Sequence, residues 1–207
     1  MKLMSHVPPV RIRFPVLGSE VPIDHYEALY ASLSRNNSQF HQLEGLSVSP
    51  ITGGESAGEV LRLTKDSCLY FQMPYESLNH LVQLAGKRLQ IGDKLIRLGV
   101  PHLIPLNPHP RLYSRFVTIK NALTEEVMRS KVQEQLLNMD ITLSEEKIQV
   151  LRRRVITIHD RKIVGFGILL EGLDDEASIK VQLLGVGGRR RYSSGFFLPV
   201  KGDHWDE

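Results

Sequence analysis

Eleven residues near the end of the chain, Gly185-Val186-Gly187-Gly188-Arg189-Arg190-Arg191-Tyr192-Ser193-Ser194-Gly195, hold four glycines and three consecutive arginines. Such a run cannot form a core. Glycine accepts positive φ and lets backbone N–H groups approach a ligand, so the turn can form an anion-binding nest. Arginine adds planar, permanently charged forks that suit phosphate. A phosphate-rich partner is the natural reading, and nucleic acid is the commonest one; the alternative is a glycine-rich surface loop with incidental charge. The loop is not a nucleotide-binding P-loop, which needs a lysine and a hydroxyl residue after its last glycine and opens a helix.

Acid/base chemistry could come from the histidines at 6, 25, 41, 80, 102, 109, 159 and 204. No pair shows zinc-ligand spacing with a supporting carboxylate or thiol, so no metal site is expected. His25 and His41 bracket a segment carrying Tyr26 and Tyr30, and both fall near turns. A histidine beside a phosphodiester can donate or accept a proton near neutral pH without a metal. The competing readings are a histidine in a capping turn for His25 and an ordinary loop histidine for His41. His80 lies on a mostly apolar helix and reads as structural.

The elements that must position these residues follow from periodicity. Val10, Ile12, Phe14 and Val16 alternate with Arg11 and Arg13, as in a half-buried strand. Asp24 and Glu27 have capping-box spacing ahead of a helix through Leu29, Tyr30 and Leu33 that stops at Asn36-Asn37. Leu46–Ile51, Val60–Leu63 and Cys68–Met73 read as strands of one sheet, followed by a helix from Pro74 to Gly86 and extended chain to Val100. Pro101, Pro105, Pro108 and Pro110 then spell a stiff linker. Beyond it, Tyr113, Arg115, Val117 and Ile119 face one way along a strand, with Phe116 and Lys120 on the other. Thr124 caps a helix with Met128, Val132, Leu136 and Met139 on one face. A hairpin turns at Asp160-Arg161, Asp174 caps a last helix that Gly185 ends, and Phe196–Val200 closes the unit. Each half reads β-α-β-β-α-β. The expected class is α+β, with two tandem ferredoxin-like (RRM-type) domains at 1–100 and 112–207 and a proline-rich linker at 101–111. Met1–Pro9 reads as a loose lead-in and Lys201–Glu207 as an exposed tail.

The chain has 207 residues, 42% of them hydrophobic, which suffices for real cores. Its net charge is only +3, but the arginines cluster at 152–154 and 189–191. The lone cysteine, Cys68, excludes an intrachain disulfide and any multi-cysteine zinc site. No apolar run approaches membrane-spanning length and no signal-peptide core opens the chain, so a soluble cytoplasmic protein is expected.

Three places resemble a known family. They are Val21-Pro22-Ile23-Asp24-His25-Tyr26 with Ala28-Leu29-Tyr30-Ala31-Ser32-Leu33; Phe40-His41 ahead of Gly45–Ile51; and the glycine-arginine run closing in Gly195-Phe196-Phe197-Leu198-Pro199. Together they resemble the CRISPR-associated precursor-RNA endoribonucleases of the RAMP superfamily, especially the short variant of cyanobacterial and myxobacterial systems. The resemblance spans nearly the whole chain and implies two ferredoxin-like halves. It also implies metal-independent cleavage of CRISPR repeat RNA by the RNA's own 2′-hydroxyl, leaving a 2′,3′-cyclic phosphate, with no cofactor. By the same resemblance His41 is the general acid/base, His25 the second candidate, and Tyr30 assists. A lysine that some members carry falls near Ser47, so that role is unfilled. Gly187, Gly188, Arg189, Arg190 and Arg191 are expected to hold the RNA, together with Arg115 and Lys120. Precursor and mature guide RNA, and other subunits of an interference complex, are the implied partners. The rival is a non-catalytic RAMP-type subunit that binds guide RNA. An unrelated RRM protein fits less well, because no RNP1-like aromatic run is present.

Overall fold

The computed structural model describes residues 10–200; the lead-in with His6 and the tail with His204 lie outside the described residues. The chain divides into two compact units between Pro105 and Leu106.

In the first unit β1 (Val10–Leu17) is the central strand. It is followed by β2 (Glu20–Pro22), α1 (Tyr26–Asn36), a 3₁₀ turn (Ser38–His41) and β3 (Ser47–Val48). Then come β4 (Glu55–Ala57), β5 (Val60–Arg62), β6 (Cys68–Met73), α2 (Leu78–Val82), β7 (Arg88–Ile91), β8 (Lys94–Leu98) and β9 (His102–Ile104). The main sheet runs β3-β6-β1-β8-β7, and β9 also pairs with β1. On one side β1 pairs with β6 from Val10 to Pro15; on the other it pairs with β9 at Arg11–Arg13 and with β8 at Val16–Leu17. The alternation expected of β1 buries Ile12, Phe14 and Val16. Its polar face is not simply solvated: Arg11 is also buried, and its guanidinium donates to Gln72 Oε1 on β6 at 3.0 Å.

Two expectations need correction here. Val60–Leu63 does not join the main sheet, because β5 pairs with β2 and β4 in a separate three-stranded sheet. The N-cap of α1 is His25, one residue later than the expected Asp24. Within the stretch expected to be linker, His102–Ile104 hydrogen-bond to β1 as β9. Four prolines in ten residues still left three residues able to extend a sheet edge, where a missing N–H costs little.

The second unit runs β10 (Arg111–Val117), α3 (Glu125–Leu137), β11 (Ile148–Ile158), β12 (Arg161–Glu171), α4 (Asp175–Leu184) and β13 (Leu198–Pro199). Its four antiparallel strands lie in the order β11-β12-β10-β13, which is the ferredoxin-like arrangement. Local caps fix both helices: Thr124 accepts from Val127 N–H and Asp174 from Ala177 N–H. Met128, Val132 and Leu136 of α3, with Ala177 and Val181 of α4, bury against Leu112, Phe166, Ile168 and Leu170. The expected facing of β10 breaks down at its end. A register shift between Ser114 and Val117 turns Val117 inward, so both Phe116 and Val117 are fully buried. The hairpin turns at His159-Asp160, one residue earlier than expected. No helix among the described residues is long and apolar enough to cross a membrane.

Candidate functional site

Tyr30 and His41 come together. Tyr30 sits on the buried side of α1, only 6% exposed, while His41 ends the 3₁₀ turn and is exposed. The hydroxyl of Tyr30 and Nδ1 of His41 are 3.0 Å apart, and the rings meet edge-on at 5.4 Å. Sequence dictates this geometry. Asn37 closes α1 and then caps the 3₁₀ turn, its side chain accepting from Gln39 N–H and its amide donating to the His80 carbonyl. Phe40, fully buried, packs beside Tyr30 and edge-on against Phe71 of β6. The turn is therefore anchored in the core immediately before His41, which holds an exposed imidazole against a buried phenol.

His25 is placed differently. It is 2% exposed, Nδ1 lies 2.9 Å from the Pro22 carbonyl, and Nε2 accepts from Ile51 N–H at 3.0 Å. A carbonyl only accepts and an N–H only donates, so the ring is neutral with its proton on Nδ1. The imidazole also stacks on Tyr26 at 5.3 Å, nearly parallel. Nε2 thus ties the start of α1 to the segment after β3, and Nδ1 ties it to the end of β2.

The glycine-arginine loop follows α4 and is tightly built. Gly187 N–H donates to Gln135 Oε1 of α3, Gly188 N–H to the Thr118 carbonyl, and Gly195 N–H to the Phe116 carbonyl. Ser194 Oγ accepts from Thr118 N–H. The expected nest of free amides is therefore corrected: these N–H groups are spent inside the protein. The glycines serve close approach instead. At Gly187, with φ +84°, an added Cβ would lie 2.7 Å from the Thr118 carbonyl oxygen; at Gly195, with φ +68°, it would collide with the Val186 carbonyl.

The three arginines also part ways. Arg190 folds back, its Nη1 donating to the Gly195 carbonyl, and burial lowers its guanidinium from the ordinary value to about 10. Arg189 is exposed and Arg191 half-buried. Arg115 is half-buried, its carbonyl accepting from Arg154 Nε, and Lys120 is exposed. Periodicity cannot distinguish three adjacent arginines; only the backbone path separates them. The pairing of His159 with Tyr192 was also missed, because its partners lie 33 residues apart on two turns. Among the described residues no three His, Cys, Asp or Glu side chains gather where a metal could be held.

Comparison with known proteins gives consistent matches. The model of the family Cas6, described as Cas6 Crispr, matches residues 10–202. The chain is 34% identical over 190 residues to the CRISPR-associated endonuclease Cas6 of Myxococcus xanthus (strain DK1622), covering 92% of this chain and 81% of that protein. Among solved structures, a RAMP protein binding different RNA substrates superposes with a TM-score of 0.64 at 15% identity, covering 93% of this chain and all of the other. The product of a Cas6-related gene from Pyrococcus furiosus gives 0.63 at 14% identity, covering 94% of this chain and all of the other. At such identities the superpositions show the shared fold.

Proposed function

The chain belongs to the Cas6 family, and from that premise we propose that it is an endoribonuclease cutting CRISPR repeat RNA into guide RNAs, without a metal, through a 2′,3′-cyclic phosphate. The Tyr30–His41 pair carries this reading. In the proposed step the 2′-oxygen beside the cut attacks its own phosphorus, a base takes the 2′-hydroxyl proton, and the P–O5′ bond breaks. The leaving 5′-oxygen takes up a proton, so the products end in a cyclic phosphate and a 5′-hydroxyl. Nucleophile and electrophile are already tethered, which removes the need for a bound nucleophile.

His41 supplies the proton transfer through Nε2, and Tyr30 sets its state through Nδ1. In both roles Nδ1–H donates to the phenol oxygen: the neutral ring takes a proton at Nε2 as base, and the imidazolium gives one up from Nε2–H as acid. One buried hydroxyl on a rigid helix thus orients the ring in either protonation state. Arg189 and Arg191, with Arg115 and Lys120, hold the RNA through phosphate contacts. The guide RNA then passes, still bound, to other subunits of an interference complex.

The test is incubation with repeat RNA in excess EDTA, with and without a 2′-deoxy residue at the cut site. Cleavage that survives EDTA, leaves a cyclic phosphate and stops with the deoxy substrate is expected. Dependence on Mg²⁺ or Mn²⁺, or cutting of the deoxy strand, overturns the chemistry. Binding without any cutting would make the chain a guide-RNA-binding subunit.

A further inference from the structure

The turn that joins β11 to β12 consists of His159 and Asp160, with φ of +49° and +58°. Two successive left-handed residues make the tight hairpin turn that usually recruits Asn-Gly, because a Cβ disfavours this backbone. In the glycine-arginine loop, Arg189 and Ser193 flank the 3₁₀ turn Arg190–Tyr192 with φ of +57° and +60°. Six non-glycine residues have positive φ among the described residues, and four of them lie in these two turns. The turns meet through side chains: His159 Nε2 lies 3.1 Å from the Tyr192 hydroxyl, with the rings edge-on at 6.1 Å.

Core packing does not demand this contact, since His159 is exposed. Asp160 at the hairpin tip, Arg161 and Lys162 after it, and Arg189 on the loop are all exposed. The link between His159 and Tyr192 ties the two turns without using any of these cations. Holding the cations at one spacing before RNA arrives removes an ordering cost from binding.

We propose that His159 and Tyr192 are a pair of positioning residues that latch the β11–β12 hairpin tip onto the glycine-arginine loop, so that the exposed cations following the tip and Arg189 meet the RNA at a fixed spacing. The RNA half of this proposal rests on the reading of the chain as a repeat-RNA endoribonuclease; the latch itself does not.

The experiment has an RNA-free arm and an RNA arm, both on the full chain. Hydrogen exchange of the free protein is followed over residues 185–195 in His159→Ala, Tyr192→Phe and the double variant. Each single variant should speed exchange there, and the double variant should do no more than either alone, as for groups sharing one interaction. Repeat-RNA affinity should fall about 3- to 10-fold in each, again without adding in the double variant, the size expected of a directly contacting pair. His159→Gln, which keeps a hydrogen-bonding group at the tip, should recover at least half of the loss. Unchanged exchange in both single variants, or losses that add, overturns the latch. If wild-type protein fails to bind repeat RNA, the functional reading fails along with the RNA half, while the exchange arm still decides whether the two turns are coupled. Faster exchange with unchanged affinity overturns the presentation role.

Discussion

Replacing His25 with alanine should unfold this protein more readily while leaving its chemistry in place. The imidazole links the Pro22 carbonyl to Ile51 N–H and is almost wholly buried. Alanine leaves the Ile51 N–H beside a fully buried side chain without its acceptor, a loss of about 1–3 kcal/mol. The lost ring packing, including the stack on Tyr26, adds roughly 1 kcal/mol by analogy with other aromatic pairs. A total near ~3 kcal/mol in a unit of this size lowers its melting temperature by roughly 12–24 °C. Thermal melting followed by circular dichroism measures this directly. Single-turnover cleavage, run well below the lowered transition, should stay within a few-fold of wild type. A variant that melts with the wild type but no longer cuts would refute the reasoning and return His25 to the chemistry.

Tyr30→Phe removes the hydroxyl that orients His41 but not the ring that packs beside Phe40, so the cleavage rate should fall about 10-fold, below the full loss of a general acid/base, with little change in melting. Single-turnover rates beside a melting curve check it, and a rate equal to wild type would remove Tyr30 from the mechanism. Arg189→Ala combined with Arg191→Ala should weaken RNA binding and flatten its salt dependence by roughly 0.7–0.9 per lost phosphate contact. Arg190→Ala should instead destabilise the loop, because its guanidinium is buried against the Gly195 carbonyl. Salt titrations and melting curves of the two variants should therefore diverge; matching profiles would mean that the arginines share one role.

What could be read in the sequence was what local chemistry settles. Thr124, Asp174 and Gly185 announce helix ends within a few residues of themselves, and the structure uses all three. The alternation of β1 and the spacing in α3 also depend on near neighbours only. The departures involve partners far along the chain. Whether Val60–Arg62 joins one sheet or another depends on β2, some forty residues earlier, and nothing in its composition names that partner. The two partners of His25, Pro22 and Ile51, include one 26 residues away that no local pattern announces. Arg190 differs from its neighbours only because the chain turns back to bring Gly195 under it. At the candidate site, Tyr30 and His41 were suggested by the family resemblance, and the core anchoring of Phe40 supplies the physical reason they meet.

The most direct test is His41→Ala in single-turnover cleavage of repeat RNA at saturating protein, with affinity and melting measured on the same preparation. Loss of a general acid/base should slow cleavage by about 10²-fold or more, while an exposed histidine can be removed with little effect on the fold or on RNA affinity. Cleavage near the wild-type rate by a folded variant that still binds RNA would contradict the account.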